Sequence, residues 1–188
     1  MDIDKIKNSI RNVPDFPKPG IQFKDITPLL EVPELFNEVV SIFYDRYKEK
    51  NIDVIVGIES RGFIFAAPIA LKLNCAFVLA RKGGKLPLDT VKAHFDLEYG
   101  TDSIEIQKDA IKQGDRILIV DDLIATGGTA KATGALVERL GGQIVSFAFL
   151  IELIGLGGAN FIESDSIFSI IQYWISHNGL VYNYRKYL

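Results

Sequence analysis

The stretch Arg116–Thr129, RILIVDDLIATGGT, decides how this chain is read. Ile117, Leu118, Ile119 and Val120 form a short continuous apolar run, the pattern of a strand buried on both faces of a parallel sheet. Asp121 and Asp122 follow at its carboxyl end. Ala125-Thr126-Gly127-Gly128-Thr129 then turns the chain into a helical pattern from Thr129 to Leu140. In open α/β sheets ligands bind beyond the carboxyl ends of strands. A small-residue turn opening a helix offers an anion backbone N–H donors and the positive end of the helix dipole, so a phosphate fits Ala125–Thr129. A carboxylate would repel that phosphate, and the two acids therefore need another ligand, either vicinal hydroxyls or a hydrated Mg²⁺. Acids and phosphate turn together suggest a sugar phosphate. Taken alone, Asp121-Asp122 also reads as a solvated acidic turn. The Gly-Lys-Ser/Thr of a nucleotide P-loop is missing from the turn, and no GxGxxG follows a predicted strand.

Length and composition bound the rest. With 188 residues, 48% hydrophobic and 24% charged, the chain suits one globular domain over residues 1–188 with a substantial core. A net charge of -3 without Lys/Arg runs argues against a nucleic-acid partner. The continuous apolar run Ile144–Ile151 is too short to span a bilayer, which needs about 20 residues, so it reads as a buried strand and no membrane partner is expected. One cysteine cannot form an internal disulfide, and Met1–Asp4 shows no secretory leader, so a reducing cytoplasm is expected. Cys75 sits in an apolar run and reads as core. No His/Cys/Asp cluster has metal-ligand spacing, so no direct protein metal site is expected.

In chain order, Ile6, Ile10 and Val13 have helical spacing over Asp4–Val13, and Pro14 ends that helix. Pro14, Pro17, Pro19 and Gly20 then make the chain to Phe23 a loop with preset bends, which costs less entropy to hold against a ligand. Glu31–Lys48 is an amphipathic helix, Asp53–Ile58 a central strand and Gly62–Leu73 the helix after it. Glu59-Ser60-Arg61 lies between these last two at a strand's carboxyl end, a position suited to anions. Cys75–Leu79 is a second strand, followed by the loop cations Arg81, Lys82 and Lys85, which could neutralise a polyphosphate. A solvated loop is the other reading, and the simpler one for Lys85. Phe95, Leu97 and Tyr99, then Ile104 and Ile106, alternate with polar residues around Gly100-Thr101-Asp102, predicting strand, turn and strand projecting from the α/β pattern. Glu98 is by itself only the polar phase of that strand. Ile144–Ile151 is a further central strand.

Five stretches carry a resemblance. VDDLIATGGT resembles the phosphoribosyl-pyrophosphate signature of the type I phosphoribosyltransferases. PDFPKPGIQFKDITPLL (Pro14–Leu30), GIESRGFIFAAPIA (Gly57–Ala70), RKGGKLP (Arg81–Pro87) and LEYGTDSIEIQKDAI (Leu97–Ile111) narrow it to the adenine phosphoribosyltransferase family over nearly the whole chain. The resemblance implies an α/β fold of type I phosphoribosyltransferase form: a mostly parallel central sheet with helices on both faces, an N-terminal hood over residues 1–30 and a flexible β-hairpin lid over 80–107. Substrates would be adenine and 5-phospho-α-D-ribose 1-diphosphate, and products AMP and pyrophosphate, with Mg²⁺ held mainly by substrate and water.

By the same resemblance Ala125, Thr126, Gly127, Gly128 and Thr129 bind the 5′-phosphate, and Asp121 and Asp122 the ribose hydroxyls or the metal's water shell. Ser60, Arg61, Arg81, Lys82 and Lys85 take the pyrophosphate, with a cis peptide between Ser60 and Arg61 or one bond earlier. Ile21, Phe23, the backbone near Lys24 and Leu153 form the adenine pocket, although Phe23 on bare sequence reads first as a plug in the core. Glu98 manages the proton of the attacking nitrogen and Tyr99 packs near the reaction centre. A homodimer is implied. Trp174–Leu188 departs from the family's usual end, and packing on the same subunit or a dimer mate is expected there. A relative using another base, a sensor of the sugar pyrophosphate without turnover, and a degenerate structural protein are the competing readings.

Overall fold

The computed structural model describes residues 3–97, 100–162, 167–175 and 181–182. In chain order its elements are α1 (Ile3–Ser9), β1 (Arg11–Pro14), β2 (Gln22–Asp25), α2 (Thr27–Leu30), α3 (Pro33–Tyr47), β3 (Val54–Ile58), α4 (Gly62–Leu73), β4 (Ala76–Lys82), β5 (Thr90–Leu97) and β6 (Gly100–Gln107). They continue with β7 (Arg116–Ile124), α5 (Gly128–Arg139), β8 (Gln143–Leu153), two short 3₁₀ turns spanning Ile154–Phe161, β9 (Ile167–Ile175) and β10 (Val181–Tyr182).

Strands β9, β8, β7, β3 and β4 are parallel neighbours and form the centre of an eight-stranded sheet. Antiparallel strands extend both edges: β6 and then β5 beyond β4, and β10 beyond β9. Alternation along the central strands divides the core in two. Ile55, Leu118 and Val120 face α3 and α4, packing with Val39, Phe43, Phe65 and Ile69. Val54, Val56, Ile58, Ile117 and Ile119 face α5, packing with Leu136, Val137 and Phe147. Helices thus cover both faces of a mostly parallel sheet, and every crossover brings the chain back with its strand ends on one side.

Four local expectations are corrected. The first helix stops at Ser9, and Arg11–Pro14 pairs antiparallel with Gln22–Asp25. That pairing outweighs the helical spacing of Ile6, Ile10 and Val13, and it makes Phe23 part of a strand rather than a loop. Strand β4 runs on to Lys82, so Arg81 and Lys82 end the strand instead of following it, paired with Glu105 and Ile104 of β6. Gly100, Thr101 and Asp102 lie within β6, paired with Leu97, Asp96 and Phe95. Nor does the hairpin simply project, because Ile104 and Ile106 are buried in the α5-side core. Glu98 and Tyr99 lie outside the described residues. At the other edge, Trp174 belongs to β9 and is 47% exposed, while Val181 and Tyr182 pair with Ile175 and Trp174 of the same chain. His177 and the rest of the final segment lie outside the described residues.

Candidate active site

At the end of β7 the two acids are held differently. Asp121 accepts the backbone N–H of Asp122 at 2.8 Å. Asp122 is 4% exposed, and its Oδ2 lies 2.8 Å from Nη2 of Arg61. Burial and the neighbouring Asp122 charge push the Asp121 carboxyl well above the usual range. Burial also raises Asp122, against the pull of Arg61. Two adjacent carboxylates short of water favour any ligand that brings hydroxyl donors or a cation. Gly62, the first residue of α4, lets that helix press against this strand end, because a Cβ there would lie 2.8 Å from the Val120 carbonyl oxygen and 2.9 Å from Asp121 Oδ1.

Beyond the acids, Gly127 takes φ +79°, a left-handed conformation that suits glycine, and α5 begins at the next residue. Gly127's carbonyl accepts the Lys131 N–H at 2.9 Å. The first turn of α5 contains no acid, so its N-terminal amides face Ala125–Thr129 with no side-chain carboxylate of that turn competing for them. A second turn backs this loop: a Cβ on Gly158 would collide with the Ala125 carbonyl oxygen and the Gly127 nitrogen. Gly158 is therefore part of the geometry of the Ala125–Thr129 turn, and sequence reasoning missed it.

The turn after β3 has its cis peptide between Glu59 and Ser60, the earlier of the two bonds anticipated. Ser60 is exposed. Arg61 is a junction: besides Asp122, its Nη1 donates to the Lys24 carbonyl at 3.1 Å and its guanidinium lies 4.9 Å from the Phe23 ring centre. Phe23 also meets Phe16 edge-on at 5.1 Å. Ile21 is 42% exposed, Lys24 3% and Leu153 7%.

Arg81, Lys82 and Lys85 do gather near this turn, but each rests on an acid. Arg81 donates to Glu59 through Nε at 3.2 Å and Nη2 at 3.3 Å, and Lys85 Nζ also bonds Glu59. The Lys82 N–H donates to Glu59 at 3.0 Å, and its ammonium pairs with Asp102 at 3.0 Å. Burial alone would raise Glu59, but Lys85 and Arg81 override it and leave its pKa lowered. Glu59 gathers these cations and was not among the expected site residues. Its position at a strand's carboxyl end beside three cations was the available signal. No group of three or more His, Cys, Asp or Glu side chains among the described residues is arranged to hold a metal. The acid pair offers the hard oxygens that suit a hydrated Mg²⁺.

Residues 25–180 match the phosphoribosyl transferase domain family. The adenine phosphoribosyltransferase of Halothermothrix orenii is 53% identical over 168 residues, covering 89% of this chain and 99% of the relative. The chain belongs to the adenine phosphoribosyltransferase family. The crystal structure of such an enzyme from Thermoanaerobacter pseudethanolicus superposes with a TM-score of 0.88 at 48% identity, over 90% of this chain and 99% of that one. A yeast adenine phosphoribosyltransferase, complexed with an imino-altritol bisphosphate and adenine, gives a TM-score of 0.85 at 42% identity over 89% and 97%. The enzyme from Trypanosoma brucei, in complex with AMP, pyrophosphate and ribose-5-phosphate, gives 0.81 at 30% identity over 89% and 77%. Across the family the fold is common ground, and the domain match ends at residue 180, inside the segment that begins at Trp174.

Proposed function

We propose that this protein is a glycosyltransferase of purine salvage that moves the 5-phosphoribosyl group from 5-phospho-α-D-ribose 1-diphosphate to adenine, giving AMP and pyrophosphate. The observation that carries the reading is Arg61, one guanidinium touching the acid Asp122, the Lys24 carbonyl and the Phe23 ring. Ribose acids, pyrophosphate turn and base hood therefore converge on a single side chain, as a transfer between two ligands requires.

In this reading the bond between ribose C1 and the pyrophosphate oxygen breaks as adenine N9 bonds to C1, and the N9 proton departs. Positive charge develops on the ribose ring, and negative charge on the leaving group. Ala125–Thr129 hold the 5′-phosphate, and Asp121 and Asp122 accept the ribose hydroxyls or the metal's water shell. The Ser60 backbone, Arg61, Arg81, Lys82 and Lys85 meet the pyrophosphate and stabilise its developing charge. Adenine stacks among Ile21, Phe23 and Leu153, with the backbone near Lys24 reading its edge. Glu98 manages the nitrogen's proton, Tyr99 packs near the reaction centre, and closure of the hairpin lid excludes water from a carbocation-like ring. Mg²⁺, carried by the substrate and its water, supplies further charge neutralisation to the diphosphate. We read residues 1–188 as one domain acting in the cytoplasm as a homodimer without nucleic-acid or membrane partners. No helix among the described residues is long and apolar enough to cross a membrane.

The test is pyrophosphate release with Mg²⁺ and the sugar pyrophosphate, run with adenine, hypoxanthine, guanine, xanthine and orotate in parallel. Release with adenine alone is expected. Release only with another base refutes the hood assignment, and binding without turnover of any base refutes the transferase.

A further inference from the structure

Lys24 is a buried cation that the transfer chemistry does not use. It lies on β2 directly after Phe23, so the two side chains leave the strand on opposite faces, and its own reaches Tyr173 on β9. Its ammonium sits 4.1 Å from the centre of the Tyr173 ring and donates to Asn12 Oδ1 at 3.0 Å. Asn12 is Lys24's register partner across the hood hairpin, and its amide nitrogen donates to Gln22 at 2.7 Å, so both ends of that amide are engaged. Burial and the nearby Lys7 lower the Lys24 pKa, and Lys7 approaches the same ring at 5.9 Å. A long charged side chain is costly to bury. An aromatic face is among the few surroundings that offset the cost for an ammonium without a formal counter-charge.

The partner strand makes this contact informative. Tyr173 on β9 is the register partner of Leu153 on β8, so the two side chains stand next to each other on one face of the sheet. Both belong to the same core cluster. Phe23 and Leu153 are the two walls of the base slot proposed above. Lys24 is covalently next to the first wall, and its ammonium rests on the direct neighbour of the second. The hood hairpin is a separate two-stranded sheet with no strand pairing to the main one, so its spacing from the main sheet is set by side chains.

We infer that Lys24 is a positioning residue whose ammonium, seated on the Tyr173 ring, fixes the separation between the Phe23 and Leu153 walls and so tunes affinity for the base. The inference rests on the base-slot reading and adds to it a specific determinant on a strand outside the slot. The phosphate turn and the acids of β7 lie on other elements, and Arg61 meets the carbonyl of Lys24 rather than its ammonium, so removing the charge acts on the base first and on the sugar pyrophosphate less.

The experiment is steady-state kinetics on the full chain, varying each substrate in turn, for Lys24→Met, Lys24→Arg, Tyr173→Leu and Tyr173→Phe. Lys24→Met keeps the buried stem and removes the charge, and Tyr173→Phe keeps the ring and removes the hydroxyl. Expected are a rise of about tenfold in KM for adenine in Lys24→Met and Tyr173→Leu, the size of a desolvated cation–π contact. KM for the sugar pyrophosphate should stay within about twofold, and Lys24→Arg and Tyr173→Phe should remain near the parent. An unchanged adenine KM in Lys24→Met overturns the inference, as does an equal rise in both KM values or a Tyr173→Phe as impaired as Tyr173→Leu. If Lys24→Met or Tyr173→Leu fails to fold, Lys24→Gln and Tyr173→Met take their places, and an unchanged adenine KM in both overturns the inference. Failure of the base-slot reading is seen separately, as a parent protein that turns over some other base. The same four variants are then measured with that base, and an unshifted KM for it in Lys24→Met overturns the inference.

Discussion

Glu105 is the residue whose removal the structure prices most clearly. It lies on β6, 1% exposed, and its two oxygens collect five donors. Oε1 accepts three consecutive backbone N–H groups, from Gly84 at 2.8 Å, Lys85 at 3.1 Å and Leu86 at 3.2 Å. Oε2 accepts from the Thr90 hydroxyl at 3.1 Å and pairs with the Lys92 ammonium at 2.9 Å. Burial would raise its pKa, but Lys92 and the backbone donors override burial and bring it from the ordinary 4.5 down to about 2. At about 1.4 kcal/mol per pH unit, the folded state favours the ionised carboxylate by about 3 kcal/mol. Because the folded pKa is depressed, this stability is fully present above pH 4.5 and is lost as pH falls towards 2. Glu105→Gln should therefore destabilise the protein by about 3 kcal/mol at pH 7, lowering Tm by about 6–12 °C in a domain of this size. Thermal unfolding of parent and variant, compared at neutral pH and stepwise below pH 4.5, is the assay. The gap between the two should narrow as the parent's own carboxylate is protonated. A gap that is absent at pH 7, or that stays constant into acid, refutes the reasoning. Since the three amides belong to the loop carrying Lys85, KM for the sugar pyrophosphate should rise while that for adenine holds.

Two further outcomes are expected. Asp122→Asn should cut kcat by about 100-fold or more with Tm little changed, since burial already disfavours its charge and Arg61 is partly exposed and can be hydrated; kinetics and thermal unfolding together check this. Gly158→Ala should raise KM for the sugar pyrophosphate about tenfold or more, because its Cβ meets backbone atoms of Ala125 and Gly127 that no side-chain rotation can relieve; unchanged KM would show that the phosphate turn is not braced there.

Elements whose partners are near in sequence, or whose pattern has one meaning, could be read directly. Gly62–Leu73 emerges as a helix with the boundaries anticipated, and Ile117–Val120 is the fully buried part of a parallel strand. Arg11–Pro14 could not be read this way. Its apolar spacing continues the helix before it, and only pairing with Gln22–Asp25 across the proline-rich loop makes it a strand. The burial of the hairpin's base is hidden for a related reason. Alternation of Phe95, Ile104 and Ile106 predicts a hairpin, but which half of it is buried depends on β4 and α5, which the hairpin's own residues do not reveal.

In the candidate site, the residues that announce themselves are those with an unusual local pattern, Asp121-Asp122, the glycine turn and the clustered cations. Glu59 and Glu105 do not, because a buried carboxylate looks in sequence like any polar position, and its donors come from segments 13 to 26 residues away. Those hidden acids change what the visible cations mean. Arg81 and Lys85 rest on Glu59, Lys82 on Asp102 and Arg61 on Asp122, so no cation of the proposed pyrophosphate site stands without a counter-charge. An arriving diphosphate therefore exchanges internal ion pairs for external ones, and its net gain is smaller than four unopposed cations would supply. The same exchange keeps the cations positioned before substrate arrives and softens the hold on the product diphosphate, two properties that a site selected for turnover needs more than raw affinity.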